Sequence, residues 1–228
     1  GVDPSQVHTI YQGVDDKLFF SGDAYAARRR LSLPTDRRLL LWVGRMVEIK
    51  GLDTLIAAFD LARQKQSDLH LLLVGDGPLR ASVRSDVERR GLSNHVTFAG
   101  TQLPTQLPDW YRAADLFVLS SLSEGLPNVL REAVACGRPF VSTDVGSVRE
   151  IADSQAGSPF AELVPVGDTA AMAIAIERVL RPEYLAVAQS VPCRNWRDTA
   201  QDLVSLLRSL RGDVNVGHSP RVAGAAGR

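Results

Sequence analysis

The amino-acid sequence predicts an α/β domain built on a Rossmann-like parallel sheet with helices on both faces. From about residue 39 onward, short apolar runs alternate with longer segments of helical periodicity, as they do in repeated strand–helix–strand units. Most of the runs are nearly continuous in apolar residues, which is typical of strands covered on both faces. Ligands of such sheets bind at the carboxyl ends of the strands. We therefore expect the functional residues in the loops that follow the strands.

Six of the runs are predicted to be strands, at residues 39–43, 69–74, 96–100, 115–121, 139–143 and 161–166. A further, shorter strand is predicted within "VHTIYQGVDDKLF" (7–19). The predicted helices cover residues 24–34, 51–66, 78–91, 104–114, 126–137, 148–152, 168–180 and 195–212. Pro78 and Gly91 bound one of them with the expected N-terminal proline and C-terminal glycine, and Asp168 is a candidate N-cap.

Composition limits the class of partner. The chain has 228 residues, enough to bury a substantial core. Its 26 Lys and Arg balance 26 Asp and Glu, so no overall charge draws it to nucleic acid or to an anionic membrane. No apolar run reaches the roughly 18 residues that a transmembrane helix needs. The start, "GVDPSQVHTI", has neither Met nor a signal-peptide pattern, which suggests a fragment of a longer protein.

Cysteine and histidine give little indication of chemistry. Cys136 and Cys193 lie outside any CxxC or Cys/His cluster, so we expect buried or idle thiols in a reducing compartment. The four histidines fall outside the strand-end loops, and no histidine is assigned a catalytic role.

The loop "WVGRMVEIKGLD" follows the first strand. Gly44 lets the backbone approach a ligand closely, and Arg45 and Lys50 are able to neutralise a diphosphate at the start of the next helix. The alternative is that both cations are solvated loop charges. The next loop, "LLVGDGPL", holds half of a dinucleotide fingerprint, but it lacks the third glycine. A tight turn into a helix explains it.

Two later loops offer further candidates. The strand "VTFAG" ends at Gly100, where exposed backbone either pairs with a nucleobase edge or simply leaves the sheet. In "SLSEGLPNVLREA", Glu124 precedes a helix whose first N–H groups are available to a phosphate, and Glu132 lies about one turn inside it. The alternative is that the helix dipole favours Glu124 and that Glu132 is a surface charge.

Taken in order, these motifs resemble a known family. The segments "VGRMVEIKGLDTLIAAF", "LLLVGDGPLR", "VTFAG", "ADLFVLSSLSEGLPNVLREAVACGRPFVSTDVGSVREI" and "LVPVGD" are similar to the C-terminal half of retaining glycosyltransferases of the GT-B fold (family 4, glycosyl transferases group 1). The resemblance covers about residues 7–210. "YQGVDDKLF" resembles the family's "PNGVD" connection between domains, from which Tyr11 and Gln12 depart.

The resemblance implies a role for each matching residue. Arg45, Lys50 and Glu124 would be catalytic, with the two cations holding the diphosphate and Glu124 near the transferred sugar. Glu132 would accept hydrogen bonds from the ribose. Further donor-binding residues would be Gly44, Phe98, Gly100, Gly125, Leu126, Pro127 and Asn128. The ligand would be a nucleotide sugar, UDP- or GDP-linked, and no metal or other cofactor is expected.

The resemblance also implies a domain organisation. Residues 1–38 would be an interdomain segment and 39–211 the nucleotide-sugar-binding domain, closed by a helix at 195–211, with a disordered tail at 212–228. An N-terminal domain, absent from this sequence, would bind a glycan or lipid-linked acceptor, so we expect the chain alone to be weakly active or inactive. The implied location is cytoplasmic or peripheral to the inner face of a membrane.

Three alternatives remain open. A nucleotide-sugar epimerase of the same fold would hold the diphosphate in the same way. A non-catalytic nucleotide-binding half would need a partner chain. An NAD-dependent oxidoreductase is disfavoured, because the glycine fingerprint is incomplete and the strand after it does not end in an acidic residue.

Overall fold

The structure, a computed structural model, describes residues 7–153 and 159–210. In these residues six parallel strands form one sheet in the order β3-β2-β1-β4-β5-β6. The strands are β1 (Arg38–Val43), β2 (Leu69–Val74), β3 (Val96–Gly100), β4 (Leu116–Leu119), β5 (Phe140–Thr143) and β6 (Ala161–Val164). The predicted Rossmann-like parallel sheet is confirmed.

Helices precede, connect and follow the strands along the chain. They are α1 (Ala24–Arg30), α2 (Leu52–Lys65), α3 (Arg80–Arg89), α4 (Leu107–Ala113), α5 (Asn128–Ala135), α6 (Val148–Ala152), α7 (Thr169–Val179), α8 (Pro182–Ser190) and α9 (Trp196–Leu210). Short 3₁₀ turns lie at Glu48–Lys50 and Ser93–His95. Asp168 caps α7 as predicted, because its side chain accepts from the Ala171 N–H at 2.9 Å.

Two features differ from the prediction. No strand forms within "VHTIYQGVDDKLF" (7–19), where Val14 makes only an isolated β-bridge. An alternating apolar pattern forms a strand only where another strand lies alongside to pair with it. Helix α8 was not predicted, although Pro182 at its first position is a common helix-start signal.

The sheet separates two hydrophobic cores. Helices α2, α3 and α7 cover one face, where Trp42, Phe59 and Ile176 are buried. Helices α1, α4, α5, α6 and α8 cover the other, where Tyr111 and Phe117 are buried. Both faces of the strands are therefore shielded from water, which explains their continuous apolar runs.

The chain divides into two compact units, Val14–Cys193 and the segments that precede and follow it. Within the smaller unit, the Thr199 hydroxyl of α9 accepts from the Gly13 N–H at 2.7 Å and donates to the Tyr11 carbonyl at 3.0 Å. The predicted domain boundaries stay predictions, and the predicted tail (212–228) lies outside the described residues. Across the described ranges, none of the helices combines the length and apolarity needed to span a membrane.

Candidate functional site

The strand order reverses between β1 and β4, which lie side by side at the centre of the sheet. Both strands end at the same edge, and their loops diverge there because one leads into α2 on one face and the other into α5 on the opposite face. This topological switch point is where open α/β sheets bind ligands.

Lys50 and Glu124 meet at this switch point. The Lys50 Nζ lies 2.5 Å from the Glu124 Oε1, and the Ser121 hydroxyl donates to the same oxygen at 2.6 Å. The two side chains are only 22% and 13% exposed. The structure therefore brings together two of the three predicted catalytic residues, one from each loop.

Backbone contacts fix the two loops against each other. The Ser120 hydroxyl donates to the Lys50 carbonyl, and the Leu122 N–H donates to the Ile49 carbonyl, both at 2.8 Å. Gly51 adopts a left-handed conformation (φ 57°), and a Cβ there would lie 2.1 Å from the Ser120 carbonyl oxygen. Only glycine allows this close approach.

A third loop, after β5, holds Glu124 from the other side. The Ser147 N–H and hydroxyl both donate to the Gly125 carbonyl, at 3.1 and 3.0 Å. A Cβ on Gly146 would lie 2.2 Å from the Glu124 carbonyl oxygen, and Thr143 donates to the Ser121 carbonyl at 2.6 Å. No residue of this loop was predicted to belong to the site, although the end of β5 was predicted to lie on the same edge.

Gly44 and Arg45 follow β1. A Cβ on Gly75 would lie 1.9 Å from the Gly44 carbonyl oxygen, and one on Gly77 would lie 2.5 Å from the Met46 carbonyl oxygen. The "GDGP" glycines are therefore structural, as interpreted from the sequence, and they support the loop that carries Arg45. Arg45 is exposed, and none of the hydrogen bonds or ion pairs among the described residues involves its guanidinium.

Helix α5 begins without a side-chain cap. Its N-cap residue is Pro127, and the N–H groups of Asn128 and Val129 have no acceptor within the described ranges. Free N–H groups at a helix N-terminus, together with the helix dipole, favour an anion. Gly125, Leu126 and Asn128 are exposed, so this helix start is open to a ligand.

Glu132 has a different environment from Glu124. It lies one turn inside α5 and accepts from the Tyr111 hydroxyl at 2.7 Å. Burial raises the pKa of Glu132, while the Tyr111 hydrogen bond and the nearby Arg131 lower it. Glu132 is thus half-buried rather than a free surface charge.

The end of β3 presents irregular backbone. Leu73 pairs with Phe98 and Val74 with Gly100, so Ala99 is bulged out of the ladder. Gly100 has φ 68° with no neighbour within 4 Å of an added Cβ. The Phe98 ring packs against the core and lies under the Arg84 guanidinium, 4.5 Å from ring centroid to Cζ. Bulges of this kind are common next to binding sites, although the Ala99 carbonyl here accepts from the Gln102 side chain and the Gly100 carbonyl from the Gly75 N–H, both at 2.8 Å.

Comparison with known proteins identifies the family. The family model described as "Glycosyl transferases group 1" matches residues 37–182, well over half of the chain. The chain belongs to the group 1 glycosyltransferases. This glycosyltransferase chain is 33% identical over 219 residues to D-inositol 3-phosphate glycosyltransferase of Segniliparus rotundus, covering 92% of this chain and 49% of that protein.

Solved structures agree with this assignment. Sucrose-phosphate synthase from Thermosynechococcus elongatus is 31% identical with a TM-score of 0.72, over 90% of this chain and 52% of that one. Anabaena HepE in complex with UDP and glucose has a TM-score of 0.74 at 23% identity, over 92% and 58% of the two chains, and supports the fold alone. The predicted C-terminal half of a GT-B fold is confirmed, and the chain spans about half the length of these relatives.

The individual site residues stay predictions. Within the described ranges, no three His, Cys, Asp or Glu side chains are grouped to hold a metal ion. Tyr111, Ser121 and Ser147 are contacts that sequence reasoning missed, because each is recognisable only through its partner in space.

Proposed function

We propose that this chain is the donor-binding half of a retaining glycosyltransferase that transfers a sugar from a nucleotide diphosphate sugar to an acceptor. One observation carries the proposal: the Lys50–Glu124 pair follows the two central strands, beside the uncapped start of α5. A cation, a carboxylate and free backbone donors are the groups needed to hold a diphosphate and the sugar attached to it.

The diphosphate would bind to Lys50, Arg45 and the first N–H groups of α5. Arg45 has no protein partner among the described side chains, so its charge is available to a phosphate. As the glycosidic bond breaks, negative charge develops on the leaving phosphate, and fixed cations stabilise that charge. Glu124 would contact the hydroxyls of the transferred sugar.

The nucleoside would extend from the diphosphate toward Glu132 and β3. Glu132, ionised, would accept hydrogen bonds from the ribose, and backbone at the bulged end of β3 would pair with the base. The β3 end lies two strands from β1, about 10 Å at the usual strand spacing, a distance that a nucleoside diphosphate spans. The UDP bound to HepE makes UDP the first ligand to test.

Transfer would require the other half of the enzyme. The relatives are about twice as long as this chain, and their additional domain would supply the acceptor site and close the cleft, which orients the reactants and excludes water. The relatives' names favour a transferase over an epimerase of the same fold. We place the reaction in the cytoplasm or at the inner face of a membrane.

Calorimetric titration of the chain with UDP, GDP and ADP tests the proposal. One nucleotide should bind, and both Lys50→Ala and Glu132→Ala should weaken it by about tenfold or more, since each removes a charged partner. Lys65→Ala is the matched control, because Lys65 pairs with Glu177 on the exposed side of α2 and α7. Equal binding by the Lys50 and Lys65 variants, or no binding of any nucleotide at millimolar concentration, would contradict the proposal.

A further inference from the structure

A single buried hydroxyl holds the Glu132 carboxylate. The Tyr111 hydroxyl donates to the Glu132 Oε2 at 2.7 Å. Tyr111 is completely buried, whereas Glu132 is half-buried and stands at the side of α5. Among the described groups, the second oxygen, Oε1, has no hydrogen-bond donor.

Aromatic packing fixes the direction of that hydroxyl. The Tyr111 ring lies between Phe19 and Phe117, with centroids 5.9 and 5.7 Å away. A ring clamped between two others in a close-packed core keeps one orientation. The hydroxyl is thus held at one point, and Glu132 turns toward it.

We propose that Tyr111 is a positioning residue that occupies one oxygen of Glu132 and so presents the other oxygen to a ribose hydroxyl of the bound nucleotide. This inference rests on the proposed function and goes beyond it, because Tyr111 itself does not touch the ligand. A ribose has two neighbouring hydroxyl donors. A carboxylate with one oxygen already held by Tyr111 makes its principal contact with one of them.

The same hydrogen bond supports the charge state that ribose binding requires. Burial raises the pKa of Glu132, and the Tyr111 hydroxyl lowers it. An ionised carboxylate is an acceptor only, whereas a protonated one offers its own O–H. Tyr111 therefore favours the form of Glu132 that accepts from ribose.

The chain contains a matched control. The Tyr184 hydroxyl on α8 donates to the Glu162 Oε1 on β6, also at 2.7 Å. This second tyrosine–glutamate pair involves the outermost strand, β6, and lies away from the β1 and β4 loops. Tyr111→Phe and Tyr184→Phe each remove one hydroxyl from a hydrogen bond of the same type and length.

The first experiment compares nucleotide affinities of the wild-type chain, Tyr111→Phe and Tyr184→Phe. The probes are the nucleoside diphosphate that binds among UDP, GDP and ADP, its 2′-deoxy and 3′-deoxy analogues, and inorganic diphosphate. Tyr111→Phe should lower the affinity for the nucleoside diphosphate by about five- to tenfold. The affinity for inorganic diphosphate should not change. The affinity for the deoxy analogue that lacks the contacted hydroxyl should fall much less than that for the nucleoside diphosphate. Tyr184→Phe should change none of them.

Equal weakening of all four probes by Tyr111→Phe would overturn the inference, because a general loss of structure affects them alike. Thermal unfolding of both variants identifies such a loss.

A second readout needs no ligand and separates this inference from the proposed function. Tyr111→Phe should raise the pKa of Glu132, followed by NMR of the carboxyl carbon, and Tyr184→Phe should not. An unchanged pKa would overturn the positioning contact even if nucleotides bind. A raised pKa without any nucleotide binding would support the contact and overturn its assigned role, together with the proposed function.

Discussion

Charged residues lie at both ends of the parallel strands, the amino edge and the carboxyl edge of the sheet, but their hydrogen bonding differs between the two. At the amino edge, Arg28 donates to the Ala113 carbonyl at 2.8 Å, to the Arg37 carbonyl at 3.1 Å and to Asp115 at 2.7 Å. Asp115 in turn accepts from the Leu39 N–H at 2.6 Å. These two charged side chains are engaged in hydrogen bonds that hold the starts of β1 and β4 together.

At the carboxyl edge, some charged and polar groups have no hydrogen-bond partner in the part of the chain that the structure describes. Lys50 and Glu124 share one ion pair, and within the described ranges Arg45 and the first N–H groups of α5 have no protein partner. By contrast, Arg138 at the amino edge is 2% exposed and donates to two carbonyls. Charges that bind a ligand must keep unused hydrogen-bonding capacity, whereas charges that stabilise a fold are fully paired.

The largest expected effect comes from breaking the amino edge. Arg28→Met should lower the free energy of unfolding by about 3–5 kcal/mol, because it removes the cation that pairs with the partly buried Asp115 and the donor to two carbonyls. Urea unfolding measures this loss. Arg30→Met is the control, because Arg30 is exposed and pairs with Asp109 at the surface. Similar losses in both variants would contradict the distinction.

Gly51→Ala should affect both stability and binding, because Gly51 joins the two loops of the site. The left-handed φ and the clash with the Ser120 carbonyl should together cost about 2–3 kcal/mol. Gly91 has a similar φ of 70°, but an added Cβ there would have no neighbour within 4 Å. Gly91→Ala should therefore lower the free energy of unfolding by only about 1 kcal/mol. Chemical denaturation and nucleotide titration of both variants check this; an equal loss in the two would mean that the close approach is unimportant.

His70, at the amino edge, should make stability depend on pH. Burial, together with Arg37 and His95, lowers its pKa from 6.5 to about 4, and its Nε2 lies 2.8 Å from the Thr97 hydroxyl. The unfolded chain therefore binds this proton more tightly. The contribution of His70 to stability is present above pH 6.5 and is lost as pH falls toward 4.

That loss should amount to about 2 kcal/mol after allowance for solvent screening at the rim of the sheet. Denaturation of the wild-type chain and His70→Gln between pH 7.5 and 4 measures it. The variant should show a smaller dependence on pH, and an identical dependence would contradict the prediction.

The smallest effect on stability is expected at the carboxyl edge. Glu124→Gln should change the free energy of unfolding by no more than about 1 kcal/mol, since the glutamine carbonyl still accepts the hydrogen bonds of Lys50 and Ser121. The substitution should also raise the affinity for inorganic diphosphate several-fold, because it releases Lys50 from its ion pair and removes a negative charge. Weaker diphosphate binding would mean that Glu124 orients Lys50 rather than competing for it.

Much of the fold was predictable because the strands are continuous apolar runs between recognisable helix signals. β2 and β3 were predicted with their observed bounds, and the other strands of the sheet differ by up to two residues at an end. The extra residues of the predicted fourth strand, Ser120 and Ser121, instead turn out of the sheet to contact Lys50 and Glu124. A local pattern cannot reveal such tertiary hydrogen bonds.

The candidate site was predictable in part. The sequence indicates which loops share an edge, but from the loops alone Lys50 and Glu124 could equally be solvated charges. The family resemblance is what selects these two residues for one site. Helical phase does not determine where a carboxylate before a helix lies relative to one inside it. Glu132 has Tyr111 as its partner, which comes from a helix 21 residues earlier and depends on the packing of the whole core.

The uncapped start of α5 has a consequence for protein engineering. Elsewhere in the chain, Asp23 and Asp168 cap α1 and α7, whereas α3, α4 and α8 also begin without a side-chain cap. A Ser or Asp in place of Pro127 would add about 1 kcal/mol to helix stability, and its oxygen would occupy an N–H that the proposed function assigns to the diphosphate. Selection for heat resistance alone would favour that change at the expense of the proposed diphosphate site, so a thermostable variant should be selected with the nucleotide present.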